Sequence, residues 1–177
     1  MEKSLKSSAV NYGLYLGIVL AALTVIGYAI DLSLFTKWWF GIFILLLVIV
    51  FGIISSMNTR KLSGGFISFK EAFTSYFVTI LIGILINSVV SIVIFNFVDP
   101  DSAIALQDMI IENQAQMLER FGTTQEAIDQ AVAQIREGGS MYSIGNIAKS
   151  IAVQLVGFSI VGLIVALVVR KNDPNAA

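Results

Sequence analysis

Four stretches of this chain contain no Asp, Glu, Lys or Arg: residues 7–30, 38–59, 72–98 and 150–169. Nothing else in the sequence restricts the fold as strongly. A helix rises about 1.5 Å per residue and needs about 20 predominantly apolar residues to cross a hydrocarbon core of roughly 30 Å. Each stretch is long enough, which predicts spans at 8–30, 38–58, 72–98 and 148–169. Lipid offers backbone N–H and C=O groups no partner, so only helices and closed barrels cross it. Barrel strands are alternating segments of about ten residues, whereas residues 42–51 read IFILLLVIVF without alternation. The expectation is an all-α fold, a four-helix transmembrane bundle, rather than four buried helices of a soluble protein. Composition agrees, because 56% of the 177 residues are hydrophobic and only 13% charged, against about a quarter charged in soluble domains. The length suits a single domain.

Lys3 and Lys6 ahead of the first stretch give the N-terminus some likeness to a secretory signal, with Gly27-Tyr28-Ala29 as the cleavage site. The apolar run at 10–26 is longer than the usual 7 to 15 residues of such signals, and a second span follows at once. A retained helix is expected. Orientation follows from the bases that flank the spans. Lys3, Lys6, Arg60, Lys61, Lys70, Arg170 and Lys171 lie on one side, and Lys37, Arg120, Arg136 and Lys149 are spread thinly on the other. The positive-inside rule puts both termini in the cytoplasm. For a bacterial protein the expected location is the inner membrane. Trp38, Trp39 and Phe40 open the second span, where an interfacial aromatic belt is expected.

The connection from residue 99 to 149 then faces the exterior, with eight acids against three bases. Asp99-Pro100 supplies an N-cap and a first-turn proline for a helix ending at Gly122. Thr123 and Glu126 form a T-x-x-E capping box for a second helix, which Gly138-Gly139 ends. Leu106, Met109, Ile110, Met117 and Phe121 give the first helix an apolar face, and Ile128, Ala131, Val132 and Ile135 give one to the second. These features predict a helical insert at 99–139, folded as an extracytoplasmic hairpin between spans three and four.

The chemistry open to such a chain is narrow. It has no Cys and no His, which removes thiol nucleophiles, His bases and the zinc and haem sites built on them. Asp99 and Asp101 lack the D-x-D-x-D-G loop of a calcium site, so no metal and no cofactor are expected. No acid, base or His lies within any of the four uncharged stretches, whereas ion-coupled carriers, pumps and voltage sensors usually keep one there. What the spans do contain is ordered. Ala9, Gly13, Gly17 and Ala21 in span one, and Ser75, Thr79, Gly83, Asn87 and Ser91 in span three, recur every fourth residue. Rows of this kind favour close helix crossings. Gly13, Gly17, Ala21, Thr79, Gly83, Asn87, Ser91 and Gln154 are therefore expected to serve helix packing or to line a polar groove. Depth along the helices pairs Gln154 with the outer part of span three, near Ser91. Lys70 and Glu71 mark an interface, since adjacent residues point apart and make a poor catalytic pair.

Gly64-Gly65-Phe66-Ile67-Ser68-Phe69-Lys70-Glu71-Ala72-Phe73 before span three, Asp99-Pro100 after it, Thr123-Thr124-Gln125-Glu126-Ala127-Ile128 in the insert and the terminal Arg170-Lys171 together resemble the domain of unknown function 4199 family. The resemblance implies a multi-pass membrane protein of bacteria, mainly Bacteroidetes, with four helices and an extracytoplasmic insert. That family brings no catalytic residues to transfer.

Two functional expectations follow. The first is a non-catalytic accessory or assembly component of the bacterial envelope, touching the lipid bilayer, an envelope protein through the acidic hairpin at 100–139, and a second copy of itself. The second is a small-solute channel or carrier lined by Thr79, Asn87, Ser91 and Gln154. An enzyme is not expected, because no nucleophile has a visible base and no phosphate-cradling loop appears. Nucleic acid is excluded by a net charge of −1 with scattered bases.

Overall fold

The computed structural model describes residues 2–171, with side chains from residue 6 onward. Lys3, counted above among the N-terminal bases, has its side chain outside that range. Six long helices follow in order: α1 Glu2–Ile30, α2 Trp38–Leu62, α3 Phe69–Val93, α4 Pro100–Arg120, α5 Gln125–Glu137 and α6 Ile144–Val169. Short turns join them, a 3₁₀ turn at Leu32–Thr36 and a π turn at Ile94–Val98 that prolongs α3. Among the described residues there is no strand, only one antiparallel bridge between Ile67 and Lys171. Four helices, α1, α2, α3 with its π turn, and α6, are long and apolar enough to cross a membrane.

Several boundaries differ from the sequence reading, each for a local reason. α3 starts at Phe69 rather than 72, because Ser68 and Glu71 form a capping box there that the sequence analysis did not name. The Ser68 N–H donates to Glu71 Oε2 at 2.9 Å while Ser68 Oγ accepts from the Glu71 N–H at 3.3 Å. At the predicted position, Thr123 is used differently. Its N–H donates to Leu118 O at 3.1 Å and the Gly122 N–H to Glu119 O at 2.9 Å, a closure of α4 that needs Gly122 at φ +76°. The helix after it is capped by Thr124, whose side chain makes no capping bond. α6 begins at Ile144, with Ser143 Oγ accepting from the Asn146 N–H, so Lys149 lies inside the helix. α2 likewise runs on through Arg60 and Lys61 to Leu62. Charges are tolerated at such positions because long basic side chains reach toward the interface.

The bundle is arranged around α3, which packs against α1, α2 and α6. Among the described residues α1 and α6 do not meet. α1 and α3 interdigitate. A Cβ added at Gly13 would lie 2.7 Å from Ile82, one at Gly17 2.6 Å from Ile86, and one at Gly83 2.6 Å from Leu16. Ala9 is buried and Ala21 half-buried. Where hydrophobic burial offers no advantage over lipid, backbone approach of this kind holds helices together.

α6 is most deeply buried along its C-terminal half, while Ile151 and Leu155 pack less fully against the same core. Its buried residues are Gly162, Val165, Ala166 and Val169. The ring of Tyr76 on α3 wedges between two glycines there, 2.5 Å from a Cβ built on Gly52 of α2 and 2.7 Å from one on Gly162. Around it, Arg60 donates to Val169 O at 3.3 Å, Ile67 and Lys171 exchange backbone bonds, and Lys171 lies over the Phe66 ring. This end, rich in Arg and Lys, is termed the basic end; the opposite end, from which α4 and α5 extend, is the acidic end.

Candidate functional site

Two polar regions line the centre of the bundle, and they differ in how their hydrogen bonds are spent. Toward the basic end, α2 contributes Ser55, Ser56 and Thr59 and α3 contributes Ser75 and Thr79, all buried. Ser75 Oγ lies 2.9 Å from Ser55 Oγ and 2.7 Å from Thr59 Oγ1. Thr79 donates toward Ser55 Oγ at 2.7 Å and toward Ala9 O of α1 at 3.0 Å. Ser56 donates to Ala72 O at 2.9 Å, and Asn58 to Ser8 Oγ at 2.9 Å. The hydroxyls therefore tie three helices together and leave little unsatisfied. The exception is Tyr76 Oη, buried without a hydrogen-bond partner among the described residues.

Toward the acidic end, α6 diverges from α2 and a cavity of about 310 Å³ opens between α2, α3 and α6. Asn87, Ser88 and Ser91 of α3 and Ser150 and Gln154 of α6 supply its polar wall. Leu20, Val48, Ile84 and Phe158 supply much of its apolar wall. Asn87 is turned partly away, since its Oδ1 accepts from Thr24 of α1 at 2.8 Å. Gln154 and Ser91 thus share one cavity without a direct bond between them, a looser relation than the predicted pairing.

The predicted polar lining is divided by the tertiary structure. Asn87, Ser91 and Gln154 border the cavity; Thr79 belongs to the hydroxyl cluster. Between these regions Leu16 fills the space at Gly83, with Ile80 and Ile84 buried beside it. Sequence reasoning passed over Ser55, Ser56 and Thr59. Their signal was available: three hydroxyls within five positions of an otherwise apolar helix.

An aromatic cap closes the acidic end of the cavity. Tyr142 and Met141 line it, and Tyr142 stacks on Phe95 at 4.1 Å. Phe95 also meets Tyr28 and Phe35 edge-on. Asn96 donates to Tyr142 O at 2.9 Å, fixing the segment before α6 to the π turn. Burial pushes the Tyr142 phenol up to about 12, so it remains protonated. Asp99 caps α4 by accepting from the Ser102 N–H at 3.0 Å and from Ser102 Oγ at 2.6 Å, and it also accepts from Tyr28 at 3.1 Å. The Ser102 hydrogen bonds hold its carboxyl below the usual carboxylate range.

At the basic end, a second cavity of about 700 Å³ borders Lys6, Thr59, Ser68, Lys70, Glu71 and Ser75. Glu71 is engaged with Ser68 in the α3 cap. No cluster of three or more acidic ligands for a metal occurs among the described residues.

Four helices long and apolar enough to cross a membrane, packed around a polar interior, are the mark of the membrane-protein class. The chain belongs to the family described as "Protein of unknown function (DUF4199)", which matches residues 11–171. No curated protein matches the chain, and no solved structure matches it.

Proposed function

We propose that this chain is a non-catalytic accessory or assembly component of the bacterial inner membrane. Both termini face the cytoplasm, and α4 and α5 form an acidic hairpin outside. The observation that carries the reading is the contrast between four long stretches without Asp, Glu, Lys or Arg and an exposed helical module. Among the described residues α5 packs on no helix but α4. Their contact includes Arg136 to Asp108 at 3.2 Å. Phe121 at their turn is 81% exposed, with Met117 exposed beside it. An apolar tip on an acidic module fits a protein partner with a basic rim.

The chain has no Cys, so a single thiol at Asp129 gives a clean crosslinking site. Crosslinking the D129C protein in native membranes is expected to capture one envelope protein, and deleting residues 101–139 to abolish its co-purification. An unchanged set of partners after the deletion would overturn the reading. Reporter fusions at Met1 and Ala177 that respond from opposite compartments would overturn the topology. The carrier reading draws support from the cavity beside Asn87, Ser91 and Gln154. Its test is liposome flux of small neutral solutes that N87L and S91L abolish.

A further inference from the structure

The cavity between α2, α3 and α6 contains more hydrogen-bonding capacity than the protein uses. Among the described residues Ser88, Ser91, Ser150 and Gln154 make no side-chain hydrogen bond, although all four border the cavity. Asn87 commits only its Oδ1, to Thr24, leaving its Nδ2 hydrogens without an acceptor. Ser88, Ser91 and Gln154 sit inside the spans, and Ser150 opens the uncharged part of α6 beside Lys149. Counted at about 1.5 Å per residue, Ser91 lies roughly 10 Å from the acidic end of α3, and Gln154 roughly 15 Å along α6 from Ile144. At that depth an unsatisfied polar group is costly. The hydroxyl cluster of the other half shows that this same chain satisfies such groups internally where its helices close.

We infer that this cavity binds the carbonyl-bearing, uncharged part of a bilayer amphiphile, with Asn87, Ser91, Ser150 and Gln154 donating to its carbonyl oxygens. The chemistry of the wall selects that class. No Asp, Glu, Lys or Arg borders the cavity, so a charged headgroup has no counter-charge there. The free groups include the Asn87 and Gln154 amide N–H groups and three serine hydroxyls, donors that a carbonyl oxygen satisfies. Val48, Ile84 and Phe158 line the same space and suit a hydrocarbon chain. The aromatic cap at Tyr142 and the Leu16 packing at Gly83 border the two ends, and Ser150 and Gln154 are exposed along the side. Entry is then sideways, from lipid, where α6 diverges from α2. Two molecules share this chemistry: a diacyl lipid through its glycerol esters, and an isoprenoid quinone through its ring carbonyls.

The test compares them on the full-length protein. Nanodiscs are made from equal parts of diester and diether phosphatidylethanolamine with matched chains, and lipid retained on the protein is counted by native mass spectrometry. Diester retention at least fivefold above diether is expected. The S91V/Q154L double variant, which removes no hydrogen bond within the protein, should bring the ratio to near one with unchanged helicity and melting. In a second arm, added menaquinone that displaces the diester lipid would assign the ring carbonyls as the source and still support the site. A parent ratio near one with no quinone retained, the result for a cavity filled only by water, overturns the proposal. So does a ratio that survives in the folded double variant. The parent measurement needs no substitution, so a variant that failed to fold would leave it decisive.

Discussion

The two halves of the bundle are made of similar residues and behave differently. Toward the basic end, Ser55, Thr59, Ser75 and Thr79 are buried and bonded to one another. Toward the acidic end, Ser88, Ser91, Ser150 and Gln154 surround open space. The difference lies in how close the helices come. Gly52 and Gly162 let α2 and α6 close on Tyr76, and hydroxyls can then reach across. Higher in α6, Gly145 and Gly157 face nothing within 4 Å of where a Cβ would stand. A hydroxyl's contribution in a membrane is thus set by the residue opposite. Small groups and a large ring packed together produce a lock, while the same polar groups on diverging helices produce a cleft.

The sharpest way to break this comparison is to enlarge the glycines. G52V and G162V should each destabilise the bundle by about 2 to 3 kcal/mol, because the Tyr76 ring is held from both sides and cannot move away. G157V should stay within about 0.5 kcal/mol of the parent. Reversible unfolding in mixed micelles measures all three, and equal losses at Gly157 and Gly162 would remove the distinction. The next effect is smaller. S75A leaves both Ser55 and Thr59 short of a partner and should cost about 1 to 2 kcal/mol. S88A, with no bond to lose, should be close to neutral.

Acid sharpens the contrast from the other end. The Asp99 carboxyl is held low in the folded state by Ser102, so its contribution is present above the ordinary Asp value of about 3.9 and is lost as pH falls through the lower folded value. Amide exchange in the first turn of α4 should therefore rise below about pH 4, and D99A, which removes the capping oxygens, should show that rise already at neutral pH. An α4 whose exchange ignores both would show that its cap is not the carboxylate. The smallest effect belongs to Arg136 and Asp108, whose side chains are 63% and 55% exposed. R136A should change stability by no more than about 0.5 kcal/mol, and less in high salt.

Much of the architecture was legible from charge placement alone. The four uncharged stretches correspond to four long apolar helices, because excluding charge over about 20 residues is a requirement that every position must meet. Asp99-Pro100 correctly marked the start of α4, since capping is decided within a few residues. The capping box at Thr123 was misplaced for a related reason. Two local closures competed for the same residues, and the turn after Gly122 took Thr123 to finish α4. The polar interior was only partly legible. The i+4 rows named Thr79, Asn87 and Ser91 as one set, yet Thr79 lies in the lock and the other two beside the cleft.

The sequence by itself determined that this chain contains four helices of spanning length, which of their ends carry the bases, and that long stretches of them carry no Asp, Glu, Lys or Arg. Those properties depend on each segment separately. Only the tertiary structure decided that α3 is central, that Tyr76 sits between Gly52 and Gly162, and that α6 diverges to leave Ser150 and Gln154 facing Ser91 across a cavity. The reason is physical: a helix fixes which side chains share its face, but whether a hydroxyl is bonded or left open depends on the distance to another helix. That distance is set by the size of residues far away in the chain.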